Sequence, residues 1–149
     1  MFGYWRGSAL PRTPRIEARP QGWCWGVPIP DGSYNTLAFV DPTRVRGRRR
    51  GSLEAQLREL LDGTDIARDL GDAALVTPAH ATDATPYVDA TCIGPTRIRI
   101  GDAALALDPL SSSGVQRAIQ TALSGAIVAN TLLREPTRRD AALAFHEEA

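Results

Sequence analysis

The strongest constraint on this chain lies between residues 97 and 134. A short alternating segment, Arg97-Ile98-Arg99-Ile100, runs into Gly101-Asp102-Ala103-Ala104 and then, through Asp108-Pro109-Leu110-Ser111-Ser112-Ser113-Gly114, into a long apolar-faced stretch. The period of two predicts a strand, and the recurrence of Val115, Ala118, Ile119, Ala122, Leu123, Ala126 and Ile127 every three or four residues predicts a helix with one broad apolar face. Gln116, Arg117, Gln120 and Thr121 take the opposite side. Ser124, Gly125 and Ala126 are small enough to let another backbone approach in mid-helix. Arg134 complements the negative helix end and Pro136 stops the helix. Thr137 and Asp140 resemble a capping pair for a last helix through Phe145, which meets the end of the sequence without a cap.

A strand that ends in Gly-Asp sets a carboxylate at the edge of a sheet, where it can accept hydrogen bonds from a polyhydroxylated ligand. The serine-rich loop then brings backbone amides and the positive end of a helix dipole to one point. Such an arrangement stabilises a phosphate, a halide or negative charge developing on a reduced ring system. The plainer alternative is an ordinary turn at Gly101-Asp102 and a simple helix cap at Ser113. The ordered constellation is more specific than any of its parts.

The first forty residues read as β structure. Arg15-Ile16-Glu17-Ala18-Arg19 alternates, and Trp23 to Ile29 and Ser33 to Val40 are rich in aromatic and β-branched residues. Pro30-Asp31-Gly32 between the last two supplies the dihedrals of a tight turn, which predicts a hairpin. Met1 to Gly7 reads as the middle of a sheet strand. After Asp41-Pro42 comes a basic loop from Arg44 through Arg46, Arg48, Arg49 and Arg50 to Gly51, either an anion site or a solvated surface. Ser52 can cap a helix over Leu53–Leu61, with Glu54 at its positive start and Leu53, Leu57, Leu60 and Leu61 on one face. Residues 62–95 lack strong periodicity and hold two weak strand candidates, Ala74–Thr77 and Tyr87–Ile93. A stretch of that kind is often functional or covered by a partner. His80, which lies in it, is expected at the surface.

Composition narrows the chemistry. All 17 basic residues are arginine and 17 residues are acidic, so a lysine Schiff base, relay or phosphate ligand is excluded in this chain, and the neutral balance argues against a nucleic-acid surface. Cys24 and Cys92 have no second Cys or His at metal-ligand spacing, so no metal site is expected and both thiols are expected reduced, in the cytoplasm. No basic start followed by an apolar run marks a signal peptide. The apolar run Ala122–Leu133 is interrupted by Ser124, Gly125 and Asn130 and falls short of the roughly 20 residues of a membrane span.

Gly101-Asp102-Ala103-Ala104, Asp108-Pro109 and Ser112-Ser113-Gly114-Val115 resemble the second FAD motif of the flavoprotein monooxygenases of the para-hydroxybenzoate hydroxylase type, and within them most closely the flavin-dependent, tryptophan-halogenase-like proteins. Trp23-Cys24-Trp25-Gly26-Val27-Pro28 is similar to the Trp-x-Trp-x-Ile-Pro signature of those halogenases, with Val27 for isoleucine. The resemblance implies FAD as cofactor. Gly101 and Asp102 would lie at the ribityl chain, and Pro109, Ser113, Gly114 and Val115 beside the flavin ring. Ser113 and Gly114 would form a halide site, while Trp23, Trp25 and Pro28 would shape the cavity. Alternate residues Trp23 and Trp25 are expected on one face of their strand. Ser111 stands where many tryptophan halogenases carry a glutamate, and Ser112 where the hydroxylase subgroup has a further glycine.

The family's Gly-x-Gly-x-x-Gly turn on a Rossmann strand and its hypohalous-acid lysine are absent from this sequence. The chain is therefore expected to be a fragment lacking the N-terminal Rossmann part, inactive by itself and with no catalytic residue identified in it. The implied fold class is α/β, α+β within this fragment, combining a β-sheet portion of the substrate domain (1–95) with the flavin-facing strand, loop and long helix of a two-domain FAD-binding fold (96–149). The implied function is that of an FAD-dependent oxidoreductase which uses reduced flavin and O2 to halogenate or oxygenate a small-molecule or carrier-bound organic substrate, served by a separate flavin reductase. The alternatives are a halogenase-like hydroxylase or maturation flavoprotein acting on a peptide or carrier-bound substrate, and a non-catalytic remnant of the fold.

Overall fold

The computed structural model describes residues 1–45, 51–94 and 96–148, so Arg46–Arg50 of the basic loop lie outside the described residues. The chain divides into two units, Met1–Asp83 and Ala84–Ala149. It mixes helix and sheet, as the sequence implies.

In the first unit, β1 (Phe2–Arg6), β2 (Arg15–Arg19), β3 (Gly22–Pro28), β4 (Tyr34–Val40) and the short β5 (Ala74–Leu75) form one sheet in the order β2-β3-β4-β1-β5. The predicted hairpin is present, with Pro28 opposite Tyr34 and Gly22 opposite Val40. Its turn is closed by the Gly32 amide on the Ile29 carbonyl and by Asp31, whose carboxylate accepts from the Ser33 amide and hydroxyl. The Ser33 contacts, with Arg6 nearby, hold the Asp31 carboxyl below the usual carboxylate range. β1 lies inside the sheet between β4 and β5.

A one-turn helix α1 (Pro42–Val45) follows the hairpin, and then come α2 (Leu53–Leu61) and α3 (Asp65–Leu70). α2 has the predicted bounds and the predicted cap, since the Ser52 hydroxyl accepts from the Ala55 amide. Leu57 and Leu61 are buried and Leu60 is half-buried, whereas Leu53 at the first turn remains exposed. The core gathers Trp5, Cys24, Tyr34 and Ala38 from one sheet face with Leu57, Leu61, Ile66 and Leu70 from the helices.

α3 escapes a periodicity reading because six residues give less than two turns. Its ends are nevertheless marked: Thr64 caps Ala67, and Gly71 takes a positive φ just past Leu70. Glu17 of β2 reaches over and accepts from the Asp65 and Ile66 amides at 2.9 and 2.8 Å, and Arg15 pairs with Asp65 and Asp69. Removing the reach with Glu17→Ala leaves two helix-start amides without their carboxylate. The expected loss is about 1–2 kcal/mol in urea unfolding, and a loss under a few tenths would mean that water replaces the carboxylate fully.

Cys24 sits on the core face, where burial pushes its thiol above the ordinary value, against the smaller opposing influence of Arg19. Because the folded state holds this proton more tightly, the associated stability is present below the normal thiol range and is lost as pH rises through the raised value. Cys24 is therefore expected to resist iodoacetamide at pH 8 in the folded chain and to react after denaturation; native modification at the rate of a free thiol would contradict this.

In the second unit, β6 (Tyr87–Val88) pairs with β9 (Leu105–Ala106), and β7 (Ile93–Gly94) pairs with β8 (Arg97–Ile98). The strand candidate Tyr87–Ile93 is thus two short strands, separated by a turn in which the Asp89 carboxylate accepts from the Thr91 amide and pairs with Arg99. α4 (Gly114–Arg134) and α5 (Arg139–Glu148) complete the unit. The turn of helix Pro136–Arg138 between them starts at the expected proline. Within the unit, α4 buries Gly125 and Val128, not the broad apolar face. Val115, Ile119, Leu123 and Ile127 stay 77%, 58%, 63% and 54% exposed. The small side of the helix does the packing because Gly125 lets Ile100 and Ile98 come close: a Cβ there would lie 3.0 Å from Ile100 Cγ2.

Candidate functional site

Gly101, Asp102, Pro109, Ser113, Gly114 and Val115 all fall in the second unit, and Trp23, Trp25 and Pro28 all fall in the first.

The turn at Gly101–Ala103 is a single 3-10 turn, closed by the Ala104 amide on the Gly101 carbonyl. Gly101 has φ of +55°, a conformation glycine adopts without steric cost. Its amide donates to Thr121 Oγ1 of α4 at 2.8 Å, and the Tyr87 hydroxyl donates to the Asp102 carbonyl. The Asp102 side chain is exposed. The sequence pattern singles out Asp102 but not these two supports; it places Thr121 only on the polar side of the helix. No local signal marks either support, because a threonine on the polar side of a helix and a tyrosine in a weak strand candidate can each meet many partners.

The following loop is held by its own short contacts. Asp108 accepts from the Leu110 amide, Pro109–Ser111 form a 3-10 turn, and the Ser111 and Ser113 hydroxyls share a hydrogen bond of 2.8 Å. Ser113 precedes α4 but makes no side-chain cap bond. The first amides of α4, at Gly114 and Val115, therefore present N–H groups without an intrahelical partner, and the space where a Gly114 Cβ would sit is open. Gly114 and Val115 are exposed and Ser113 is half-buried. Ser112 has φ of +51° and ψ of +22°, a left-handed conformation that favours glycine. Serine thus occupies a glycine-like backbone at the place where the hydroxylase resemblance calls for glycine. Ser112→Gly is expected to relieve up to about 1 kcal/mol of strain, read as a higher unfolding midpoint; a lower midpoint would show that the Ser112 side chain holds the loop.

In the first unit Trp23 and Trp25 do share one face of β3, the face turned away from Cys24 and the helices. The hairpin register sets Trp23 opposite Phe39 and Trp25 opposite Leu37, and the Trp23 and Phe39 rings stack with centroids 4.0 Å apart. Trp23 Nε1 is shielded and has no hydrogen-bond partner among the described residues. On the same sheet face Phe2 lies opposite Leu37 and stacks on His80, and Ile16 of β2 lies opposite Trp25. Pro28, half-buried, ends β3 opposite Tyr34. Phe39 was within reach of the sequence, because a turn at Pro30-Asp31-Gly32 fixes which residues face each other.

These residues suit a flavin-type ligand. An exposed carboxylate on a rigid turn can accept from hydroxyls, and open amides at the start of a 21-residue helix favour electron-rich or anionic atoms. Among the described residues no group of three or more His, Cys, Asp or Glu side chains is arranged to hold a metal ion. Among them, too, no helix is long and apolar enough to cross a membrane.

The fold is that of the FAD-dependent halogenases. It matches the flavin-dependent halogenase CmlS with a TM-score of 0.81 at 25% identity, over 99% of this chain and 28% of that one. It matches QhpG, a peptidyl tryptophan dihydroxylase essential for tryptophylquinone cofactor biogenesis, with a TM-score of 0.71 at 27% identity, over 99% of this chain and 34% of that one. A tryptophan 2-halogenase of Chondromyces crocatus is 26% identical over 98% of this chain and 30% of its own length. No protein-family model matches the chain. In sequence and fold the chain is thus similar to these flavoproteins, and it spans about 30% of the length of the curated relative.

Proposed function

We propose that this chain is part of a longer FAD-dependent oxidoreductase of the halogenase-like group. Residues 1–95 are read as a portion of the substrate domain and 96–149 as the later part of the FAD-binding domain. The observation that carries the reading is the rigid Gly101–Ala103 turn with its exposed Asp102, followed by the open amides of α4, in a fold shared with flavin-dependent halogenases.

FAD, once reduced, supplies the electrons with which O2 is activated to oxygenate an organic substrate or oxidise halide. Asp102 would accept from the ribityl hydroxyls, with Gly101 allowing the close turn. Pro109 and the Ser113-Gly114-Val115 helix start would face the isoalloxazine edge, where the amides favour negative charge. Ser113 and Gly114 would take the halide, and Trp23, Trp25 and Pro28 would wall the cavity and exclude water. A separate flavin reductase would supply reduced flavin, and the protein would work in the cytoplasm, in keeping with the unpaired Cys24 and Cys92.

The test is turnover by the full-length protein with FAD, O2, a flavin reductase, chloride or bromide, and a panel of indoles and phenols. Halide-dependent mass gain is expected. Oxygenated product without halide dependence would favour the second reading, a hydroxylase acting on a peptide or carrier-bound substrate, for which the likeness to the dihydroxylase QhpG speaks. No flavin-dependent product of either kind in the full-length protein would favour a non-catalytic remnant. Because the pyrophosphate-binding turn is not in this sequence, the 149-residue chain alone is expected to retain little FAD. Near-stoichiometric yellow flavin on it after purification would refute that.

A further inference from the structure

We propose that Thr121 is a positioning residue for the Asp102 carboxylate, acting through the Gly101 amide. The proposal rests on the assignment of Asp102 to the ribityl chain made above.

Thr121 uses its hydroxyl in both directions. The proton goes to the Arg117 carbonyl one turn back at 2.8 Å, with the Ala118 carbonyl at 3.2 Å, and a lone pair accepts the Gly101 N–H at 2.8 Å. Other hydroxyls on the same helix make only the backward bond: Ser124 to Gln120 and Thr131 to Ile127. Back-bonding of this kind fixes the rotamer of a helical threonine, so the acceptor offered to Gly101 is held in place by α4 itself.

The neighbouring contacts make Thr121 the point that fixes the turn. Ile100, just before it, is seated against Gly125, and a Cβ on Gly101 would come within 3.4 Å of Ala118 Cβ. The segment thus lies directly on α4, and Tyr87 binds the Asp102 carbonyl. Rotation of the peptide between Ile100 and Gly101 is the freedom that would swing Asp102, and the Thr121 bond removes it. A polyol chain has many rotamers, so a carboxylate carried on a backbone fixed beforehand leaves less to be ordered at the moment of binding.

Thr121→Val keeps the β-branched shape and deletes the acceptor; Thr121→Ser keeps the acceptor. In the full-length protein Thr121→Val is expected to speed hydrogen exchange in the peptide covering 97–104 by about tenfold or more. It is also expected to weaken FAD binding by about five- to tenfold, with the unfolding midpoint little changed, and Thr121→Ser should restore both. Asp102→Ala is the companion variant and should weaken FAD binding at least as much. If exchange in Thr121→Val is unchanged, or if it rises while FAD affinity stays put and Asp102→Ala still loses flavin, the positioning role is overturned and the cofactor assignment stands. If Asp102→Ala leaves FAD affinity unchanged, that assignment fails and the positioning role with it.

Discussion

Trp5→Ala is expected to destabilise the first unit by about 3–5 kcal/mol, enough to leave the chain largely unfolded under mild denaturant. Trp5 is fully buried in the middle of the core. Its indole N–H donates to Thr36 Oγ1 at 2.7 Å, and Arg58 of α2 lies 4.5 Å above the ring. The alanine variant loses the packing of a large ring, leaves a cavity between β1, β4 and α2, and strands the Thr36 hydroxyl, which is itself fully buried. Trp5→Phe separates the contributions. It keeps most of the volume but removes the donor, so a loss of about 1–3 kcal/mol is expected from the unpaired hydroxyl and the residual void. Urea unfolding of the chain, followed by circular dichroism, reads both. A loss under 1 kcal/mol for Trp5→Ala would mean that this unit's core does not centre on Trp5.

The elements with strong local signals were legible in the sequence. β2 and α2 have the expected bounds, and the Pro30-Asp31-Gly32 turn fixes the hairpin register and with it the partner of every residue in β3. α3 was not legible by period, because six residues give less than two turns, and part of what holds it is remote: Glu17, 48 residues before Asp65, accepts from its first amides. Residues 62–95 lack strong periodicity for a related reason. Their strands are two residues long, and part of their order comes from side chains bonding further along the chain, Asp89 to Arg99 and Tyr87 to the Asp102 carbonyl.

α4 shows how far periodicity can be trusted. The helix is where the spacing puts it, but spacing says only that an apolar face exists. It does not say that the residues in hand cover it. Here Gly125 lets the Ile98–Ile100 segment pack on the small-residue side, and the stripe from Val115 to Ile127 remains exposed. The same small-residue side explains the candidate site. Gly101 and Asp102 stood out as a motif, while the hydroxyl that steadies them belongs to a threonine that any solvent-facing helix position could carry. The motif is visible as a pattern in the sequence; its supports are visible only once the fold brings them together.

Gly22→Ala is expected to cost about 2–4 kcal/mol and to loosen the Trp23–Phe39 stack, although no side chain of the stack is altered. Gly22 opens β3 with φ of +157°, and a Cβ built there would lie 1.8 Å from the Phe39 carbonyl oxygen and 3.1 Å from Val40 Cα. Backbone cannot yield as a flexible side chain can, so β3 must move away from β4 at Gly22 and Val40, the pair next to Trp23 and Phe39. The opposite end of the same strand offers a contrast. At Gly26 an added Cβ would meet the Tyr34 ring, with its hydroxyl at 2.5 Å, so Gly26→Ala strains a core side chain and leaves the aromatic face alone. Both variants should lower the urea midpoint. Both should disturb near-ultraviolet circular dichroism, since Tyr34 is itself an aromatic chromophore, but only Gly22→Ala should change the long-wavelength tryptophan bands to which the stacked Trp23 contributes. The same tryptophan-band change in Gly26→Ala, or none in Gly22→Ala, would show that the stack does not depend on this backbone contact.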